Sequence, residues 1–154
     1  MIICIDEGVK ILIRQERLEI VQTAGMNDRH LEAMLLINKL SVAIQNSDAD
    51  AVKENFIELI EHTQEHCQYE EKMMVEKKFP PYQAHKDEHD LALDDMHKAA
   101  TSFTKTEDFE VSKKYIESNL SPWFIRHTET MDTVTSMFLE NSEAHLPIWN
   151  KMKK

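Results

Sequence analysis

Apolar residues recur at alternating steps of three and four along four segments of the chain, and polar residues fill the positions between them. This spacing places the apolar side chains on one face of an α-helix. It predicts helices at residues 27–45, from about 50 to 77, at 82–103 and at 122–140. With only 2 Gly and 4 Pro, the chain favours long helices with short connections. We therefore predict an all-α, up-down-up-down antiparallel four-helix bundle.

Capping and helix-breaking residues set the expected helix ends. Asn27 is expected to cap the first helix, and Ser47 followed by Asp50 resembles a capping signal for the second. Pro80 and Pro81 are expected to end the second helix. The Ser-Pro pair at 121–122 is expected to start the fourth helix, after a separate short amphipathic segment that ends at residue 119.

The same pattern divides the chain into three parts. Residues 1–24 form an N-terminal arm with enough apolar residues to dock on the bundle or on a partner. Residues 25–141 form the bundle. Residues 142–154 include the sequence HLPIWNKMKK and are expected to be a C-terminal extension or the start of a linker.

Composition excludes several classes of partner. The formal net charge of −10 over 154 residues disfavours binding to nucleic acid or to an anionic membrane surface. The N-terminus lacks the basic region of a secretory signal, and no apolar run reaches transmembrane length. Cys4 and Cys67 form no motif, which favours a reduced protein. We expect a cytoplasmic protein without membrane insertion.

Histidines and a carboxylate occupy positions on the inward faces where apolar residues are expected. The four predicted faces are His30, Ala33, Ile37, Leu40 and Ile44; Phe56, Leu59, Thr63, His66, Glu70 and Met73; His85, His89, Ala92, Met96, Ala99 and Phe103; and Trp123, His127, Met131 or Thr130, Val134 and Phe138. Burying several ionisable groups together is costly unless they are paired or bind a metal. The pattern therefore predicts a metal site inside the bundle.

The ligand types indicate which metal. Imidazoles with a carboxylate, and a single nearby thiol, favour iron over zinc, copper or manganese. The candidate ligands are too many for one ion with an open position, so two ions are expected. The ferritin-like di-iron bundles use Glu-x-x-His pairs. No histidine here has Glu three residues before it, which argues against that class.

The ordered set of motifs resembles the bacterial hemerythrin family over roughly residues 27–140. The matching residues are His30 in NDRHLEAMLLINKL, His66 and Glu70 in HCQYE, His85 and His89 in HKDEH, and His127 and Asp132 in HTETMD. Asp132 is included on the resemblance alone, because residues five apart lie about 140° from each other around an ideal helix.

The resemblance implies a pair of non-heme irons joined by an oxo or hydroxo bridge. His85, His89 and His127 would saturate one iron, and His30 and His66 would hold the other. Glu70 and Asp132 would bridge the pair. The iron with two histidines would keep an open position for O₂.

Other polar residues are assigned to the surface. His62 is placed at the edge of the second helix, and His97 and His145 at the surface. Asp87, Glu88 and Asp90 are expected to form a solvated face. The nine methionines are expected to fill the bundle core.

Two departures from the family bear on function. Cys67 and Thr128 stand where Phe and Ile are common, and both are expected near the O₂ pocket. A wetter pocket would promote autoxidation, which suits an oxygen or redox sensor. The domain would then be the sensory part of a larger signalling protein such as a diguanylate cyclase, or act on a separate signalling partner. O₂ storage or delivery is the alternative, and a di-iron enzyme acting on peroxide or nitric oxide is a weaker one. The domain itself is not expected to be an enzyme.

Overall fold

Four helical rods form the bundle in the computed structural model, which describes residues 8–141. The first three rods are α1 (Ala24–Gln45), α2 (Ala49–Glu76) and α3 (Tyr82–Thr106). The fourth consists of α4 (Phe109–Tyr115), α5 (Ser121–His127) and α6 (Thr133–Asn141), joined by π-helical segments at Ile116–Leu120 and Thr128–Asp132. The predicted all-α four-helix bundle is confirmed. Among the described residues, no helix is long and apolar enough to cross a membrane.

The capping residues predicted for the first two helices are wrong. α1 begins at Ala24, and the side chain of Asn27 instead bonds the backbone N–H and C=O of Val21 at 2.8 and 2.7 Å. α2 is capped by Asp48, whose carboxylate accepts from the N–H of Ala51, while Ser47 lies in the left-handed region at φ 53°.

The fourth rod also differs from its prediction. No break separates an early segment from a helix starting at residue 122, because Leu120 and Ser121 both have right-handed helical backbone angles. The rod instead widens into π-helical turns, each of which absorbs one extra residue. Pro122 lies just beyond the first of them.

The described part of the arm docks on α1 through side-chain amides. The amides of Asn38 and Gln45 each bond both the N–H and the C=O of one arm residue, Ile13 and Lys10 respectively, at 2.8–3.0 Å. Ile13 is buried in the main core. These bonds satisfy backbone groups of the arm that lie outside any helix or strand.

Two apolar clusters flank the middle of the bundle. The larger contains Ile37, Leu40, Phe56 and Phe103, and the smaller contains Val21, Met26 and Leu139. Residues between these clusters along each rod are therefore shielded from water on both sides. This is where the polar residues of the inward faces lie.

Candidate metal centre

Five histidines and two carboxylates meet between the two apolar clusters. His30 comes from α1, His66 and Glu70 from α2, His85 and His89 from α3, His127 from α5, and Asp132 from the π-helical turn that follows. Six of the seven residues are buried, and the side chain of His66 is 12% exposed. The structure thus brings together all seven residues singled out in the sequence.

Three of the histidine rings converge, each through its own Nε2 atom. The Nε2 atom of His127 lies 3.1 Å from Nε2 of His85 and 3.2 Å from Nε2 of His89. Ligands about 2.1 Å from one ion lie about 3 Å apart when they are at right angles. We refer to His85, His89 and His127 as the three-histidine half.

His30 and His66 form a second group beside the first. Their ring centroids are 5.1 Å apart. His66 Nε2 lies 2.8 Å from Glu70 Oε1, and His30 Nε2 lies 2.8 Å from Asp132 Oδ2. We refer to this pair as the two-histidine half.

Each carboxylate presents one oxygen to each half. Glu70 directs Oε1 to the two-histidine half, and its Oε2 lies 3.3 Å from Nε2 of both His85 and His89. Asp132 directs Oδ2 to His30, and its Oδ1 lies 3.0 Å from Nε2 of both His85 and His127. Carboxylates placed in this way are suited to bridging two cations.

The polar atoms at the centre are not satisfied by one another. His30 Nε2, both carboxylate oxygens of Glu70 and Oδ1 of Asp132 are buried and find no well-aligned hydrogen-bond partner among the described residues. Such orphaned atoms are costly in an apolar interior. Their close spacing without hydrogen-bond alignment indicates that they point at shared positions, and imidazole with carboxylate is a donor set that fits iron.

The electrostatics of the centre favour positive charge. Burial alone would lower the pKa of His30 and of His85, but the carboxylates of Asp132 and Glu70 outweigh it and raise both to about 9. Burial would raise the pKa of Glu70, but the neighbouring histidines hold it well below its usual range. In the metal-free chain, protons on the rings therefore supply the positive charge that metal ions would supply.

A π-helical turn brings Asp132 to the site. Thr128–Asp132 is π-helical, so residues five apart lie above one another, and Asp132 Oδ1 lies 3.0 Å from His127 Nε2. The extra residue also shifts the buried face of α6. Thr135, Ser136 and Leu139 are buried, and the predicted core residue Val134 is 55% exposed.

The outer nitrogens of the three-histidine half are also held. Nδ1 of His85 lies 2.8 Å from Thr135 Oγ1, Nδ1 of His89 lies 3.1 Å from Glu71 Oε1, and Nδ1 of His127 lies 2.8 Å from Glu88 Oε2. The assignment of Glu88 to a solvated face is correct only in part, because its side chain is 41% exposed but its carboxylate bonds a buried ring. Only its position three residues after His85, on the same side of α3, distinguishes Glu88 from neighbouring acidic residues in the sequence.

A small cavity of about 20 Å³ adjoins both halves. Its lining is mainly apolar and includes Ile37, Leu59, Met96 and Phe124, with Cys67 and the rings of His66, His89 and His127. This volume exceeds the 10–15 Å³ that about one water needs. Burial, together with the charges of Glu70 and Glu71, raises the pKa of Cys67, so its thiol stays protonated.

Thr128 was predicted to lie near this cavity, and His62 at the edge of the second helix. Thr128 is buried, but it is not among the described side chains that line the cavity, and its hydroxyl donates to the carbonyl of Phe124 at 2.9 Å. His62 lies in the lining, with Nε2 3.1 Å from the carbonyl of Arg29 and the ring 16% exposed. His97 is exposed on α3, and His145 lies outside the described residues.

Comparison with known proteins agrees with this geometry. Residues 22–138 match the Hemerythrin HHE cation binding domain. The chain is 26% identical over 129 residues to a bacteriohemerythrin from Aquifex aeolicus (strain VF5), covering 84% of this chain and 98% of that protein. It is 26% identical over 121 residues to a bacteriohemerythrin from Stenotrophomonas maltophilia (strain R551-3), covering 79% and 75%. This chain belongs to the hemerythrin HHE cation-binding domain family.

Proposed function

We propose that this chain holds two iron ions and binds O₂ reversibly. One observation carries the proposal: Glu70 and Asp132 each offer one oxygen to the three-histidine half and the other to the two-histidine half. A single ion would not use both oxygens of both carboxylates in this way. Two metal cations would also neutralise the buried carboxylates, so the histidines would not have to be protonated to do so.

The proposed roles follow from the two halves. His85, His89 and His127 hold one iron, His30 and His66 hold the other, and Glu70 and Asp132 bridge them. A bound pair of irons would supply the two electrons that reversible binding of O₂ requires. The half with two histidines has fewer protein ligands, so it offers the open position.

The chain's contribution beyond these ligands is a closed apolar space. Ile37, Leu59, Met96 and Phe124 line the cavity next to the centre and keep bulk water out. Exclusion of water favours return of O₂ over its loss as peroxide, because that loss requires protons. The protonated Cys67 thiol adds a weak hydrogen-bond donor to this lining.

We propose an oxygen or redox sensor as the role of this centre, with output through a fused or separate signalling domain. Support comes from Cys67, a small and weakly polar residue in the cavity wall, and from the wall at His62, where the side chain is 16% exposed and solvent therefore reaches the cavity lining. Both features favour access of water and a short-lived O₂ complex.

O₂ storage or delivery is the second candidate, and Thr128 favours it. Thr128 was expected to make the pocket wetter. Its hydroxyl instead donates to the carbonyl of Phe124 and is therefore less available to water. A drier pocket gives a longer-lived O₂ complex, which suits a store.

Decay of the O₂-bound form separates the two roles. Iron-loaded protein is reduced without air and mixed with O₂, and its visible spectrum is followed with time. Decay within minutes supports the sensor, whereas a spectrum stable for many hours supports storage or delivery. Failure to form any O₂-dependent spectrum from a two-iron protein would contradict both roles.

A further inference from the structure

The two halves of the centre differ in how their histidine rings are held. Nδ1 of His85, His89 and His127 each meets an oxygen from another helix, at 2.8, 3.1 and 2.8 Å. Nδ1 of His30 and of His66 is buried and finds no hydrogen-bond partner within residues 8–141. The outer nitrogens of the three-histidine half are therefore hydrogen-bonded among the described residues, and those of the two-histidine half are not. We call these three contacts, made by Thr135, Glu71 and Glu88, the braces.

Two of the braces determine where the ring proton lies. An ionised carboxylate only accepts hydrogen bonds, so Glu71 and Glu88 require a proton on Nδ1 of His89 and His127. In a neutral ring, Nε2 then carries a lone pair, and this lone pair faces the centre. Thr135 can accept from His85 in the same sense.

The braces also cross between helices. Glu71 on α2 holds a ring of α3, Glu88 on α3 holds a ring of α5, and Thr135 on α6 holds another ring of α3. Each contact fixes a ring relative to a neighbouring rod, and not only relative to its own backbone. Outer partners of this kind orient metal-binding rings and raise their basicity.

We infer that Glu71, Glu88 and Thr135 are positioning residues for the three-histidine half, and that this half binds metal more tightly and fills first. The inference rests on the proposed function, because it takes the cluster to be a metal centre. Glu71 is 18% exposed and Glu88 is 41% exposed. Loss of the less solvent-screened carboxylate, Glu71, has the larger electrostatic effect, whereas Glu88 makes the shorter hydrogen bond.

Zinc titration of the metal-free protein against a chromophoric chelator tests this order of binding. Wild type is expected to show a tight step and a weaker step. Glu71→Ala and Glu88→Ala should each weaken the tight step by about tenfold to a hundredfold and change the weaker step by less than about threefold. The Gln variants keep an acceptor oxygen, so their losses should be smaller.

Two further variants identify the steps. Glu65→Ala, at an exposed position of α2, is the matched control and should titrate as wild type does. His30→Ala should remove the weaker step and retain the tight one. Losses that fall on the weaker step, or brace variants that titrate as wild type does, would overturn the inference while leaving the metal centre intact. A wild-type protein that binds no metal would overturn the proposed function itself.

Nuclear magnetic resonance of the zinc-loaded protein gives a readout that a merely structural role would not change. A slowly exchanging Nδ1 proton on His127 is expected in wild type and Glu88→Gln and is expected to be lost in Glu88→Ala. Unchanged circular dichroism would show that the helices persist. A rapidly exchanging His127 ring proton in wild type would contradict the brace.

Discussion

His127 and Asp132 are five residues apart, yet Nε2 of the ring lies 3.0 Å from Oδ1 of the carboxylate. On an ideal α-helix the two side chains would point about 140° apart. The π-helical turn at Thr128–Asp132 removes this difference by taking up one extra residue. Local helix geometry, and not a long side chain reaching around the helix, therefore completes the centre.

Changing the length of this turn should test its role. One alanine inserted after the exposed Glu129 would rotate Asp132 by about 100° away from the centre, and the metal content should fall below about half that of wild type. Deleting Glu129 leaves a spacing of four, with the two side chains only about 40° apart, so metal should be retained. Glu129→Ala is the control. Metal content is measured by atomic absorption. A metal content that the insertion leaves unchanged would contradict this role.

Loss of a shared carboxylate should affect both halves. Glu70→Ala and Asp132→Ala each remove one oxygen from each half, so the second ion should be lost and the first bound more weakly by at least about tenfold. Asp87→Ala, which removes an exposed carboxylate of α3, serves as the control. Metal analysis after dialysis distinguishes these outcomes. Retention of two ions in either variant would show that the carboxylate does not bridge.

The metal-free protein should become less stable in mild alkali. His30 and His85 have pKa values of about 9 in the folded chain, against 6.5 when unfolded. Their contribution is therefore complete below pH 6.5 and is lost as the pH rises through about 9. Thermal melts should show Tm falling by about 5 °C or more between pH 6 and pH 9.5. Metal-loaded protein should not show this fall, because its rings bind metal without their protons. A constant Tm for the metal-free protein would contradict the electrostatic account.

The same linkage works in the opposite direction at low pH. The folded chain holds the pKa values of Glu70 and Asp132 below their unfolded values of 4.5 and 3.8. Their contribution is complete above those values and is lost as the pH falls. Melts of the metal-free protein should therefore reach their highest Tm between about pH 4.5 and 6.5. A maximum above pH 8 would be inconsistent with these shifts.

His62 should affect the lifetime of the O₂-bound form without affecting metal binding. Its ring closes one side of the cavity and bonds the carbonyl of Arg29, but it is not part of either half. His62→Ala should therefore keep its iron and lose its O₂-dependent visible band several times faster than wild type. His97→Ala, at an exposed histidine of α3, is the matched control. Loss of iron from the His62 variant would mean that the second-helix ligands have been misassigned.

Periodicity alone predicted much of the fold and of the cluster. The faces of α1 and α3 repeat regularly, so His30, His85 and His89 could be placed inside the bundle from their spacing. Hydrophobic burial acts on every turn of a regular helix, and a histidine in such a stripe is therefore conspicuous.

What the spacing missed depends on tertiary structure. A π-helical turn has no reliable sequence signal, so the inward positions of Asp132 and Thr135 could not be found by counting along an ideal helix. Glu88 resembled its acidic neighbours until the fourth rod placed His127 beside it. The start of α1 was missed because Gly25 suggested a break, whereas Gly25 lies inside α1 and packs against the hydroxyl of Tyr69.

The central claim is that two metal ions share Glu70 and Asp132. It is tested most directly by metal analysis of the purified chain, loaded with ferrous iron without air, together with its visible spectrum before and after O₂ is admitted. The account predicts about two iron ions per chain and a new visible band that forms with O₂. One zinc ion per chain, or no bound metal, would contradict it.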